Sequence, residues 1–236
     1  MENKAFESAD SEYYTQEKRF LHPFIPDGPN VLMDVGCAAG SMGKSLLESN
    51  KAIEVIGVEL FAAAAAEARK HYKTVHVGDL DVMELNYEGY FDVVVCGDVL
   101  EHLKDPGVVL KQIHRWLKDG GLLVCSVPNV RYWRIWRDLV VRGDWQYKEE
   151  GLMDHTHLRW FTTKSLRRLL TDSRFVIEQE GMKMATGPRQ EFFHRWTFGI
   201  FREFLGFQIL MSARKASESV SSRLESSGMR IEGTRV

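Results

Sequence analysis

Short apolar runs alternate with more polar stretches along most of this chain. Runs with the length of strands occur near 30–35, 53–58, 74–77, 91–97, 121–127, 174–182 and 207–215. Most are apolar without alternation, which is typical of strands in a parallel sheet covered on both faces. The stretches between them predict helices near 41–50, 61–70, 106–117 and 163–172. This alternation predicts an α/β fold built on a mostly parallel sheet.

Two of the predicted helices carry clear start signals. Asp105 followed by Pro106 supplies a capping side chain and a proline at the first turn, and Gly120-Gly121 comes soon after the expected end. Thr162 is placed to cap the helix near 163–172.

Residues 31–60 carry the strongest functional signal. The apolar run from Val31 to Val35 ends in the turn Gly36-Cys37-Ala38-Ala39-Gly40, a helix follows, and a second run ends at Glu59. A small-residue turn lets a ligand lie against bare backbone at a helix N-terminus, and the acid can accept two hydrogen bonds from a ribose diol. The pattern indicates half of a nucleoside-binding site.

Three cofactors compete for this half-site. The dinucleotide fingerprint fails at Ala38 and Ser41, where it requires glycine. A relaxed phosphate loop fits residues 38–45, with Asp98 as a magnesium ligand, as in a kinase or ATPase. S-adenosylmethionine is the third candidate. It has no phosphates, so it must be held by its ribose, adenine and amino-acid groups, and Glu59 favours it for that reason.

Further motifs follow in order over about 100 residues, a length that fits within one domain. They are D-V-G-C-A-A-G (34–40), G-V-E-L (57–60), G-D-L (78–80), F-D-V-V-V-C-G-D-V-L-E-H-L (91–103) and L-K-D-G-G-L-L-V-C-S-V-P-N (117–129). On these motifs the sequence resembles the class I S-adenosylmethionine-dependent methyltransferases. The resemblance implies a Rossmann-like seven-stranded, mostly parallel sheet with an antiparallel edge strand, helices on both faces and a helical lid insertion.

The same resemblance implies a set of cofactor-binding residues. Gly36 and Gly40 would border the methionine moiety, Glu59 would hold the ribose, and Asp98 would line the methionine end. Asp79 and Leu80 would surround the adenine. The remaining members of the set are Tyr14, Asp34, Cys37, Leu60 and Gly97, with Tyr13 as a further candidate beside Tyr14. Ala38 departs from the glycine that many relatives have.

Composition narrows the classes of partner. The 236 residues, with a net charge of −2, have no broad basic character, so we expect no nucleic-acid partner. No apolar run approaches the ~20 residues of a transmembrane helix, and the first residues lack a signal-peptide core. Three cysteines lie near strand ends without metal-type spacing, so we expect them to be buried and reduced in a cytoplasmic protein.

The insertion, residues 129–162, is the expected acceptor site. On a helix, one face would carry Arg131, Arg134, Asp138 and Arg142, and another Tyr132, Trp136, Leu139 and Val140. Three interpretations stay open. In the first, the aromatic side chains pack on the core and the arginines face solvent. In the second, both form a wall for an anionic or sugar-bearing acceptor, and in the third the segment contacts an anionic membrane.

The string D-H-T-H-L-R-W-F-T (154–162) ends the insertion. His155 and His157 would point to the same side of an extended segment and with Asp154 could ligate a metal, but no further ligand is evident and we expect none. The string resembles a methyltransferase subgroup associated with sugar and polysaccharide biosynthesis. We predict that His155 or His157 is a general base and that Arg159 orients the acceptor, with His102 as a further candidate base.

These signals predict three segments: residues 1–29 covering the cofactor, a methyltransferase domain over 30–215, and a flexible serine-rich tail over 216–236. The predicted activity is O-methylation of a sugar, a nucleotide-linked sugar or another small polar metabolite, releasing S-adenosylhomocysteine. The GDLD and PN…WR strings also resemble MetW-like proteins of methionine biosynthesis. That resemblance leaves open a protein that binds S-adenosylmethionine and regulates or partners another enzyme without catalysis.

Overall fold

A single seven-stranded sheet organises the chain in the computed structural model, which describes residues 18–184 and 202–216. The strand order across the sheet is β3-β2-β1-β4-β5-β7-β6. The strands are β1 (Asn30–Val35), β2 (Ala52–Glu59), β3 (Thr74–Val77), β4 (Phe91–Gly97), β5 (Leu117–Pro128), β6 (Phe175–Met184) and β7 (Gly206–Lys215). Along the chain, the first three strands are added outward from β1 to β3, and β4 then pairs with the other side of β1. This reversal opens a crevice at the carboxyl ends of β1 and β4.

Strand direction agrees with the predicted fold class. The pairs β1–β2, β1–β4, β2–β3 and β4–β5 are parallel. The antiparallel strand is β7, which lies between β5 and the edge strand β6 and pairs antiparallel with both. The prediction of a Rossmann-like, mostly parallel sheet with an antiparallel element at one edge is therefore confirmed.

Helices cover both faces of the sheet because the central strands are apolar on both sides. Along β4, Val93 and Val95 join one buried cluster, whereas Val94 and Cys96 join the other. The helices are α1 (Ser41–Glu48), α2 (Ala62–Ala68), α3 (Pro106–Trp116), α4 (Trp133–Trp136), α5 (Thr163–Asp172) and α6 (Arg202–Leu205), preceded by a 3₁₀ turn (Arg19–Phe24). Side chains of α1 and α2 pack into the first cluster and those of α3 and α5 into the second.

The predicted caps are present at both helices that carried start signals. The Asp105 carboxylate accepts hydrogen bonds from the backbone N–H groups of Gly107 and Val108, 3.0 and 3.2 Å away. At α5, Thr162 and Ser165 form a reciprocal capping box. These bonds satisfy N–H groups that a helix start otherwise leaves unpaired.

The insertion contains less helix than its pattern predicts. Residues 129–162 form only the single turn α4 followed by a π-helical turn (Arg137–Val141). Tyr132 is buried, but Trp136, Leu139 and Val140 are each about half exposed, at 52%, 47% and 56%. Of the three open interpretations, packing on the core therefore does not hold for these three residues, of which Trp136 ends α4 whereas Leu139 and Val140 lie in the π turn.

Other expectations have mixed outcomes. The three cysteines, Cys37, Cys96 and Cys125, are buried and unpaired, as expected. Within residues 18–184 and 202–216, none of the helices combines the length and apolarity needed to cross a bilayer. Tyr13, Tyr14 and nearly all of the predicted tail lie outside the described residues.

The contact between α1 and Tyr72 gives a test of the packing. A Cβ at Gly43 would lie 2.4 Å from atoms of the Tyr72 ring, whose hydroxyl also accepts a hydrogen bond from the Gly43 N–H at 2.8 Å. Gly43→Ala should therefore lower the free energy of unfolding by about 1–3 kcal/mol, whereas an open helix position would gain up to about 1 kcal/mol. Urea denaturation measures this change. Lys44→Ala, on the exposed face of the same helix, is the control and should shift stability by less than about 0.5 kcal/mol.

Candidate active site

A cavity of about 660 Å³ opens at the carboxyl ends of β1, β2 and β4. Such crevices are where open α/β sheets bind ligands. The structure brings nine of the eleven predicted cofactor residues to its wall: Asp34, Gly36, Cys37, Glu59, Leu60, Asp79, Leu80, Gly97 and Asp98. Gly40 does not line the cavity, and Tyr14 lies outside the described residues.

Gly36 sets the shape of the turn after β1. Its φ of +68° lies in the left-handed region, and a Cβ there would come within 2.6 Å of the Val99 side chain. The N–H groups of Gly36 and Cys37 both donate to the Val58 carbonyl, at 2.8 and 3.1 Å. Glycine is required here because the backbone must bend sharply while lying close to the loop that follows β4.

Gly40 has a packing role. It precedes α1 with a φ of +84°, and a Cβ would lie 2.9 Å from the Ala68 Cα. The absence of a side chain therefore allows α1 and α2 to approach each other, and the predicted contact between Gly40 and the cofactor stays a prediction.

Glu59 is held in a fixed orientation at the end of β2. Its side chain is buried, with one carboxylate oxygen accepting from the Ala38 N–H at 2.8 Å and the other from the Phe61 N–H at 2.9 Å. Each carboxylate oxygen has two acceptor positions, so each retains one for a ligand. Two adjacent oxygens with one free acceptor position each match the two hydroxyl groups of a ribose diol.

Asp98 is organised by side chains that the sequence analysis did not identify. Ser126 donates to its carboxylate at 2.9 Å, Gln208 of β7 donates to the same oxygen, and the Lys18 ammonium lies 3.4 Å from the other. Lys18 also donates to the Gly97 carbonyl, and a Cβ at Gly97 would come within 2.9 Å of the lysine stem. Lys18 thus places a cation in an otherwise acidic cavity.

Asp34 belongs to the cavity wall but is almost fully buried. Burial raises its pKa to about 6, although the Tyr72 hydroxyl, which donates to the carboxylate at 2.5 Å, opposes the rise. Since Tyr72 in turn accepts from Gly43, Asp34 connects β1 to α1. Burial also raises the pKa of the Cys37 thiol far above its usual range, so this thiol is an unreactive packing group.

The predicted catalytic residues occupy different environments. His155 lines the cavity, is exposed, and has its Nδ1 3.6 Å from an Asp154 carboxylate oxygen. His157 is buried behind the wall, edge-on to His102 with ring centres 4.8 Å apart. Arg159 is exposed, does not line the cavity and donates to the Lys104 carbonyl, so its position gives no support to the prediction that it orients the acceptor.

His102 also lines the cavity, which favours the further candidate named from the sequence. The insertion reaches the same cavity through Glu149, Glu150, Asp154, His155 and Thr156. Sequence reasoning gave Glu149, Glu150 and Thr156 no role, because only folding brings them opposite the strand ends.

The charge of the cavity bears on the choice of nucleoside. Its wall carries eight carboxyl-bearing residues and one lysine: Asp34, Glu59, Asp79, Asp81, Asp98, Glu149, Glu150, Asp154 and Lys18. An acidic wall disfavours a triphosphate and suits a ligand with positive sulfonium and ammonium groups. Lys44, which a phosphate loop would turn toward the ligand, is exposed on α1 and is not part of the wall. The geometry therefore opposes the phosphate-loop interpretation.

A second cavity of about 530 Å³ lies within the insertion and shares Glu150 with the first. The guanidinium groups of Arg134 and Arg137 lie 5.6 and 5.3 Å from the centre of the Trp133 ring. The indole N–H of Trp133 is buried without a hydrogen-bond partner among the described residues. This cavity therefore combines aromatic surface, cationic groups and an unused donor.

The chain is similar to known methyltransferases over most of its length. A family model described as "Methyltransferase domain" matches residues 6–180. The ubiquinone biosynthesis O-methyltransferase of Bradyrhizobium diazoefficiens is 32% identical over 156 residues, covering 64% of this chain and 60% of that protein. The protein of the same name from Pseudomonas aeruginosa is 31% identical over 144 residues, covering 52% and 61%. The chain thus spans about three fifths of these curated relatives.

A solved structure supports the fold. An S-adenosylmethionine-dependent methyltransferase from Mesorhizobium loti superposes with a TM-score of 0.61 at 19% identity, covering 84% of this chain and 97% of that one.

The buried Asp34 predicts a pH dependence of stability. Its pKa is raised from 3.8 to about 6 in the folded protein, so its contribution is fully present below about pH 4 and is lost as the pH rises through 6. Compared with Asp34→Asn, whose amide does not titrate, the free energy of unfolding of the native protein should fall by up to about 3 kcal/mol between pH 4 and 7. Urea denaturation across this range measures the difference. If the difference in unfolding free energy between the native protein and Asp34→Asn stayed constant with pH, the raised pKa of Asp34 would be contradicted. Asp119→Asn changes an exposed carboxyl and is the control, for which this difference should stay nearly constant.

Proposed function

This chain belongs to the methyltransferase domain family, and from that premise we propose that it transfers a methyl group from S-adenosylmethionine to a hydroxyl oxygen of a small polar molecule. The observation that carries the proposal is the acidic cavity at the strand ends, with bare backbone at Gly36 and the fixed carboxylate of Glu59 on its wall. The acidic wall, the bare backbone and the fixed carboxylate all suit an adenosyl sulfonium.

The residues present fit each part of this cofactor. Glu59 would hold the ribose hydroxyls, and Asp79 and Leu80, just after β3, would surround the adenine. Lys18 is placed to pair with the amino-acid carboxylate, and Asp98 to accept from the amino group. When bound, the cofactor supplies an electrophilic methyl group on a positively charged sulfur.

We place the acceptor between this cavity and the second one. The shared Glu150 makes the two cavities neighbours, so a molecule seated in the second could present a hydroxyl to the first. The Trp133 face suits a sugar or aromatic ring, and Arg134 and Arg137 suit a distant anionic group. The acidic wall of the first cavity disfavours a phosphate near the reacting hydroxyl.

His155 is the proposed general base. It lies on the cavity wall, and Asp154 and the Lys148 carbonyl, 3.3 Å from its Nδ1, are placed to orient the ring. His155 would accept the proton of the acceptor hydroxyl, whose oxygen would bond to the methyl carbon that the cofactor supplies. The sulfur would keep the electron pair of the carbon–sulfur bond, so that S-adenosylhomocysteine would be the second product.

The acceptor class is tested by incubating the protein with S-adenosylmethionine and a panel of a free sugar, a nucleotide-linked sugar and a hydroxylated aromatic compound. Mass spectrometry of the product distinguishes the sugar-modifying subgroup indicated by D-H-T-H-L-R-W-F-T from ring-hydroxyl methylation, which the names of the curated relatives suggest. Binding of the cofactor without release of S-adenosylhomocysteine by any acceptor would favour the non-catalytic, regulatory alternative.

Glu59→Gln should weaken binding of S-adenosylhomocysteine about 10- to 100-fold. The amide nitrogen cannot accept from Ala38 or Phe61, and the ribose loses a charged acceptor worth about 1.5–3 kcal/mol. Isothermal titration calorimetry measures the change, and Lys44→Ala is the control with native affinity. Tight binding of Mg·ATP with no response to S-adenosylhomocysteine would overturn the cofactor assignment.

His155→Ala should lower turnover by about 10²- to 10⁴-fold, the usual contribution of a general base, while affinity for S-adenosylhomocysteine stays within about twofold. Steady-state assays and calorimetry give the two values. His71→Ala removes an exposed histidine far from the cavity wall and is the matched control. Native turnover in His155→Ala would rule out this histidine as the base.

A further inference from the structure

Three side chains converge beside the cofactor cavity, and one of them, His102, also lines it. Glu101, His102 and His157 each offer one ligand atom, and these atoms all lie within 4.8 Å of one another. Glu101 and His102 follow β4, whereas His157 comes from the insertion. We propose that these residues bind a divalent transition-metal ion, and that the insertion docks on the domain through that ion.

The Glu101 carboxylate is the first argument. The residue is 1% exposed, and neither carboxylate oxygen has a hydrogen-bond partner among the described residues. An unpaired buried carboxylate is costly, and a bound cation removes that cost.

The backbone supplies a second argument, because it fixes the relative position of the ligands. The Glu101 carbonyl accepts from the N–H groups of Leu158 and Arg159, at 2.8 and 3.0 Å. These bonds hold the segment that carries His157 against the segment that carries Glu101 and His102.

Hydrogen bonds define the tautomer of His102. The Thr156 hydroxyl donates to an Asp154 carboxylate oxygen at 2.7 Å, so toward the His102 Nδ1, 3.0 Å away, it must accept. His102 therefore carries its proton on Nδ1 and presents an unprotonated Nε2. A hydrogen bond to one ring nitrogen commonly orients a histidine that binds a metal through the other.

His157 reaches the same state through a different partner. Its Nδ1 lies 3.2 Å from the Leu152 carbonyl, which can only accept, so this nitrogen also carries the proton. With the proton on Nδ1, the Nε2 atom of each ring keeps a free lone pair, as metal binding requires.

The ligand set indicates the class of ion. Two imidazole nitrogens and one carboxylate suit Zn²⁺ or Fe²⁺, whereas Mg²⁺ and Ca²⁺ prefer oxygen ligands. Three protein ligands leave at least one coordination position for water or a substrate oxygen. This set differs from the Asp154, His155 and His157 group considered from the sequence, because folding brings Glu101 and His102 to His157.

Metal binding is tested on the full chain after treatment with a chelator. Titration with Co²⁺, which takes the place of Zn²⁺ and has visible absorption bands, should give one equivalent of bound ion with a ligand-field spectrum. Glu101→Gln and His157→Ala should each weaken Co²⁺ binding at least tenfold. His155→Ala, which removes the neighbouring cavity histidine, should bind Co²⁺ like the native protein.

Thermal unfolding gives a second readout that needs no methyl transfer. Zn²⁺ should raise the Tm of the native protein and of His155→Ala, but not that of Glu101→Gln. Calorimetry with S-adenosylhomocysteine shows whether each variant is folded, and the titration of the native protein decides the question even if a variant is not. Absence of a stoichiometric Co²⁺ complex, or equal affinity in Glu101→Gln, would overturn the proposal and leave the assigned methyl transfer untouched.

Discussion

The turn after β1 is fixed to the end of β2 by three backbone N–H groups, and the cavity takes its shape from this connection. Gly36 and Cys37 donate to the Val58 carbonyl, and Ala38 donates to the Glu59 carboxylate. A single bond of this kind contributes only about 0.5–1.5 kcal/mol to stability, but three of them define one position of the turn relative to the strand. The backbone that faces the ligand and the carboxylate that faces its ribose are therefore placed by the same contacts.

Much of this fold was readable from local pattern. Uninterrupted apolar runs located the strands, since a parallel sheet buries both of its faces, and Asp105 and Thr162 marked helix starts through short-range hydrogen bonds. Nine of the eleven predicted cofactor residues reached one cavity because they lie close to the ends of parallel strands, and such ends meet along one edge of a sheet. Sequence order and strand direction were sufficient for that result.

The parts that escaped prediction depend on contacts between distant residues. Gln208 reaches Asp98 only because β7 inserts beside β5, and Lys18 reaches it over the surface of Gly97. The convergence of Glu101 and His102 with His157 likewise requires the insertion to fold back on the loop after β4. In the insertion itself, a π turn follows the single α-helical turn, so the side-chain positions calculated for 3.6 residues per turn did not apply at Leu139 and Val140.

The antiparallel direction of β7 has an evolutionary consequence. β5 and β6 finish, and β7 begins, at the edge of the sheet where the cavity opens, so the chain leaves the sheet at that edge after Pro128 and again after Met184. Sequence between strands tolerates insertion and drift far better than the strands themselves. A lineage built on this scaffold can thus diversify the molecules it accepts by changing the sequence that follows these two strand ends, while the pairing of all seven strands is inherited unchanged.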